Sequence, residues 1–142
     1  MSNYVPDGCF LLARIIFDSA IWRDDPHVLK LFIYLIGKAR HNKEPKQYPG
    51  FSIKRGELVT SLSQISEDNE FYNRTVRRWS RAKVSRMLAL LKEQGYIDIL
   101  ADTYGTHISI CNYDRFQDLD NYKTDSNETQ VKRKRNGSET QV

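Results

Sequence analysis

The sequence predicts one mainly α-helical domain closed by a small β-hairpin, and three observations predict it. Apolar residues recur at helical spacing from Phe10 to Trp22, from Val28 to Ala39 and from Val84 to Leu91. Ser61 and Ser80 stand where two later helices would need an N-cap. Tyr96–Leu100 and His107–Cys111 alternate with a period of two on either side of ADTYGT, whose glycine suits a hairpin turn. At 142 residues the chain has the size of one domain. The expected divisions are an N-terminal arm at 1–8, the folded domain at 9–122 and a polar tail at 123–142.

Taken in order, residues 10–22, FLLARIIFDSAIW, predict a first short helix. Asp25-Pro26 predicts the start of a second, because Asp supplies a capping oxygen and Pro fits a first turn that needs no N–H. Its wide stripe, Val28, Leu29, Leu31, Phe32, Leu35, Ile36 and Ala39, marks a core helix reaching about Arg40. Residues 41–52, HNKEPKQYPGFS, hold two prolines and a glycine and predict a loop. Arg55-Gly56 predicts a turn into a short strand, Glu57–Thr60. Ser61 with Gln64 has capping-box spacing for a third helix, which turns Leu62 and Ile65 inward and ends near Glu67-Asp68. NEFYNRTVRR predicts a plain connection. Ser80 caps a fourth helix, Arg81 to Gln94, and Gly95 is placed to end it in the left-handed conformation. After the hairpin, Tyr113, Phe116 and Leu119 predict a closing helix. From Thr124 the chain turns polar, with SNETQV nearly repeated as GSETQV, and predicts disorder.

Helix, short strand, short helix, longer basic helix, hairpin: this is the order of the winged helix-turn-helix. In that architecture the last helix enters the DNA major groove and presents its N-terminal half to base edges.

Charge points the same way. NRTVRRWSRAKVSRM, Asn73 to Met87, carries Arg74, Arg77, Arg78, Arg81, Lys83 and Arg86 and no acid, while the whole chain has a net charge of only +4. With Val84, Leu88 and Leu91 inward, Ala82, Ser85, Arg86, Ala89 and Glu93 face outward on the fourth helix. Small Ala82, Ser85 and Ala89 permit close approach, and Arg86 has the reach for guanine O6 and N7. Arg81 and Lys83 near the helix start suit phosphates. Arg74, Arg77 and Arg78 follow the phosphate backbone, or else Arg77 or Arg78 pairs with Glu67, Asp68 or Glu70; both readings stand at this point. Trp79, just before the cap, is expected as a core anchor. In the hairpin, Thr103, Tyr104, Thr106 and His107 are candidates for minor-groove or phosphate contact, although that turn holds no Lys or Arg. Lys54 and Arg55 are further candidates at the strand entry.

Four stretches also carry a resemblance: FLLARIIFDSAIWRDDPHVLKLFIYLI, GELVTSLSQIS, WSRAKVSRMLALLKEQGYIDI and TYGTHISICNYDRFQ. Together they resemble the N-terminal domain of bacteriophage and prophage replisome organisers, the replication initiation proteins, over about residues 8–118. The resemblance implies a winged helix that binds origin double-stranded DNA in the cytoplasm of a bacterial host. It also implies a helicase or helicase loader as partner, contacted in that family through a C-terminal region unlike the polar residues after Asp118 here. Two alternatives fit the same residues: a transcriptional regulator, and a protein-interaction module whose apolar first helices dock a replication partner.

Other classes find little support. The longest apolar run, VLKLFIYLI, is broken by Lys30 and too short to span a bilayer, and MSNYVPDG lacks the features of a signal peptide. A soluble, intracellular protein is expected. Cys9 and Cys111 form no CxxC pair and are expected as buried small apolar residues. His27, His41 and His107 have no metal-ligand spacing, so no metal or other cofactor is expected. Phosphate loops, nucleophile elbows and HExxH motifs are absent, so no enzyme is expected. KRKR, Lys132 to Arg135, offers sequence-independent attraction to DNA, and the terminal ETQV fits a carboxylate-capturing groove.

Overall fold

In the computed structural model, which describes residues 3 and 5–122, the segment expected as one opening helix splits in two. A 3-10 turn at Arg14–Asp18 precedes helix α1, Ala20–Arg23. Ser19 is the break: its backbone is extended and its hydroxyl donates to the Ile16 carbonyl, closing the turn against continuation. Helix α2, Pro26–Lys38, starts as expected, with the Asp25 carboxylate accepting the His27 N–H at 2.9 Å. It stops short of Arg40 because that residue pairs elsewhere, its N–H bonding the Glu57 carbonyl at 2.9 Å.

Strands β1, Lys46–Tyr48, and β2, Phe51–Ile53, form a hairpin where a loop was expected. Gly50 turns it at φ +88°, and a Cβ there would collide with the Tyr104 hydroxyl. Strand β3, Glu57–Thr60, leads to helix α3, Leu62–Asp68, capped by Ser61 Oγ on the Gln64 N–H at 3.0 Å. The capping box is half formed, since the Gln64 amide donates forward to Asp68 rather than back to the cap. Strands β4, Phe71–Asn73, and β5, Thr75–Arg77, make a second unforeseen hairpin. Helix α4, Arg81–Glu93, follows, then β6, Ile97–Ala101, and β7, Thr106–Ile110. Helix α5, Tyr113–Gln117, and a 3-10 turn at Leu119–Asn121 complete the described chain. The tail expected at 123–142, with KRKR and ETQV, lies outside the described residues.

The expected winged helix-turn-helix, mainly α with one two-stranded wing, is therefore corrected. Among the described residues the architecture is mixed α/β, with five α-helices and seven strands in three small antiparallel sheets. Two of those sheets, β1–β2 and β4–β5, occupy segments read as connections. The third has the order β3-β7-β6 and turns Leu58, Ile97, Ile108 and Ile110 into the core. Ile21, Leu31, Leu35, Ile65, Val84 and Leu91 meet them there, all fully buried. Each such side chain contributes about 1.5–3 kcal/mol on burial.

Two polar clasps hold the periphery. Gln117 is buried, and its amide pairs with both backbone groups of Leu11, accepting from N–H and donating to C=O at 2.8 Å each. This fixes the N-terminal segment across the sequence. Tyr34 of α2 donates its hydroxyl to Asp68 of α3 at 2.7 Å. That bond, helped by Gln64, holds the Asp68 carboxyl below its ordinary pKa; burial, then Asp68, pushes the Tyr34 phenol upward. Cys9 is exposed and Cys111 half-buried, both free, so the burial expected of them fails for Cys9. Burial raises the Cys111 thiol, which keeps it protonated.

Gln117→Leu removes both partners of Leu11 and should lower stability by about 1–3 kcal/mol, measured by urea unfolding, with faster proteolysis before Ile16. For Asp68, the folded pKa lies below the unfolded one. Its stabilisation is thus present above the ordinary carboxylate range and lost as pH falls through the folded value. Tyr34→Phe should flatten that acid-side loss in urea titrations at stepped pH, leaving the remaining slope to other carboxylates.

Candidate nucleic-acid interface

The start of α4 is fixed before any cation is placed. Ser80 is extended, and its Oγ accepts the Lys83 N–H at 3.1 Å. Trp79 is buried, as expected of an anchor: its indole N–H donates to His27 Nδ1 at 2.9 Å, and its carbonyl accepts the Ser66 hydroxyl. The first turn of α4 is thereby tied to both α2 and α3. At the far end, Gly95 at φ +84° closes the helix, with the Tyr96 N–H on the Leu91 carbonyl at 2.9 Å and its own on Lys92 at 3.1 Å.

Between these ends Val84, Met87, Leu88 and Leu91 are buried, and Arg81, Ala82, Ser85, Arg86 and Ala89 are exposed, with Lys83 half-buried on the flank. The outward face is small, basic, then small, and no other described residue buries it. Among the described residues, Arg81, Lys83 and Arg86 have no carboxylate within ion-pair distance. The first turn of α4 also holds no acid. Arg81 and Lys83 therefore stand near the positive end of the helix dipole, an arrangement that costs about 0.3–1 kcal/mol per cation and that a bound anion reverses.

The connection before α4 is the β4–β5 hairpin. Arg74 sits at its tip in the left-handed region, φ +68°. Arg77 donates through Nε to the Asn73 carbonyl at 3.2 Å and has no acidic partner among the described residues. Arg78 pairs with Glu70, so of the two readings open for these three arginines it follows the ion-pair one. Lys30, unnoticed as an interface residue, secures the hairpin base. Its ammonium donates to the carbonyls of Asn69 and Glu70 at 3.0 and 3.4 Å and lies 5.6 Å from the ring centres of Phe71 and Trp79.

The β6–β7 turn is committed elsewhere. Tyr104 stacks on Phe51 at 4.7 Å, and Phe51 on Tyr48 at 4.8 Å, so its ring secures the β1–β2 hairpin. His107 meets Glu57 at 2.9 Å within the sheet. Arg55 bonds Asp114 at 3.1 Å beneath α5. Thr103 and Lys54 remain exposed, and Thr106 is half-buried in β7.

No family model, curated protein or solved structure matches the chain. The interface is accordingly described by its own chemistry. No helix among the described residues is long and apolar enough to cross a membrane. An apolar cleft of about 430 Å³ lies under the N-terminal segment, lined by Leu12, Ile15, Phe32, Tyr96 and Phe116 among others.

Ser80→Ala should destabilise by about 1 kcal/mol in urea unfolding and fray the first turn of α4, read as faster amide exchange at Lys83.

Proposed function

We propose that α4, flanked by the β4–β5 hairpin, binds double-stranded DNA in a sequence-specific manner. Arg86 bonds a guanine edge; Arg81, Lys83, Arg74 and Arg77 grip phosphates; Ala82, Ser85 and Ala89 let the helix backbone approach. The observation that carries this reading is the uncovered helix face whose cations have no carboxylate partners among the described residues. Ordinary surface helices mix signs and gain i,i+4 pairs. Here that compensation is missing where a polyanion would supply it. The process we assign is initiation of bacteriophage DNA replication, supported by the resemblance over residues 8–118.

A second reading is a module that docks a replication partner, such as a helicase or its loader, without binding DNA. It is favoured by the exposure of Leu12, Ile15, Phe17 and Trp22 along the N-terminal segment. Titration of duplex DNA separates the two, because the docking module shows no binding at moderate salt.

If these four cations each neutralise a phosphate, log K against log[salt] should have a slope of roughly −3.6. A slope near −1 would remove the basic-face assignment. Arg86→Ala should cost about 1–3 kcal/mol and relax selection at one base pair, whereas Arg81→Ala should weaken all sequences alike. Selection from randomised duplexes followed by salt titration reads both.

A further inference from the structure

We infer that the outer face of the β4–β5 hairpin is a platform on which unpaired DNA bases stack, beside the duplex held by α4. Tyr72 and Val76 are directly opposed in the register of the two strands, so they share one face. Phe71 and Arg77, the next pair, lie on the other. Phe71 turns toward the body, 4.9 Å from the His27 ring and beneath Lys30. The Tyr72–Val76 face is therefore turned away from the protein, and the two residues are 78% and 58% exposed.

That exposure has no internal use. From Tyr72 to Arg78 every residue is exposed, so the blade adds nothing to the core beyond Phe71 at its base. It is nonetheless firmly mounted: Lys30 holds the carbonyls of Asn69 and Glu70, and the Glu70–Arg78 pair closes the base from both sides. A held blade with an aromatic ring, a β-branched neighbour and arginines at tip and edge suits a particular ligand. Phosphates complement Arg74 and Arg77, and the ring and the valine complement an apolar base face. In a duplex those faces are stacked on one another, and the grooves offer only edges. A free base face exists where the strands are apart.

The location of this platform rests on the duplex-binding assignment of α4; its chemistry does not. The test uses fluorescence anisotropy with the full chain and three probes: a blunt duplex, the same duplex with a single-stranded extension of about eight nucleotides, and the extension alone. The variants are Tyr72→Ala and Tyr72→Phe, both at an exposed position, with circular dichroism checking the fold. The extension should raise wild-type affinity over the blunt duplex. Tyr72→Ala should remove roughly 5- to 100-fold of the affinity for the extended probe and leave the blunt duplex unchanged, and Tyr72→Phe should keep the gain. An extension that adds no affinity overturns the inference, as does a Tyr72→Ala loss equal on blunt and extended probes. Binding of the extended probe that depends on Tyr72, with no binding of the blunt duplex, sustains the platform and removes the duplex assignment. No binding of any probe removes both.

Discussion

Everything on the candidate interface hangs from the buried indole of Trp79. An indole N–H can only donate, so His27 Nδ1 must accept and the imidazole proton of the neutral ring belongs on Nε2. The same residue's carbonyl takes the Ser66 hydroxyl. One side chain and one peptide group thus join α2, α3 and the residue immediately before the α4 cap. A buried Trp contributes about 3–5 kcal/mol when compared with Ala, but here position matters more than magnitude. Trp79 sets the rotation of α4 about its axis. With Val84, Leu88 and Leu91 then forced inward, Arg86 and the small residues have only the outward side left to occupy. It also sets the root of the β4–β5 hairpin, because Lys30 bonds that root while lying against the Trp79 ring.

Separation of charge follows from the same local structure. Two nearby acids are already engaged: Asp68 by Tyr34 and Gln64, Glu70 by Arg78. Among the described residues, only Arg78 of the six basic residues of the stretch is compensated. Its pair is half exposed on both sides, and exposed pairs contribute only about 0–1 kcal/mol. Such a pair yields readily to a phosphate. The Glu70–Arg78 contact therefore limits the resting charge of the face without removing Arg78 from reach of a polyanion.

What the sequence made legible was whatever depends on neighbours within a turn or two. Asp25-Pro26, Ser61, Ser80 and Gly95 bound their helices where expected, because a cap is a contact between residues two or three apart. The inward stripe of α4 was equally legible. Both extra hairpins escaped, since three-residue strands are too short to show alternation and their support is distant. The first is stacked on Tyr104, and the second is tied to Lys30. A single non-glycine residue at the tip, Arg74, gives no turn signal, although Tyr72, Thr75 and Val76 are strand-forming types. The opening segment looked helical by spacing and was broken by Ser19 and by Gln117 reaching back to Leu11. Tyr104, a candidate for DNA contact, stays half exposed while it stacks on Phe51, a partner that only the fold brings beneath it.

Three departures from local preference fall within one stretch. Arg74 holds a left-handed backbone, which costs an L residue with a full side chain roughly 1–2 kcal/mol. The other non-glycine residues there are Asp7 and Asn112, types that tolerate it. Tyr72 and Val76 leave apolar surface in water, and Arg81 and Lys83 oppose the dipole of their own helix. These penalties fall between residues 72 and 83, on a hairpin and helix start that are otherwise well capped and firmly rooted. A sequence that satisfies its caps on both sides of such a stretch has no folding reason to carry three uncompensated features within it. In the DNA complex we propose, phosphates would offset the two cations at the helix start, a base face would cover the ring and valine, and the strained turn would present Arg74 to the same ligand. That a single polyanion with aromatic bases answers all three is why the hairpin and the helix are read together rather than as separate accidents of the surface.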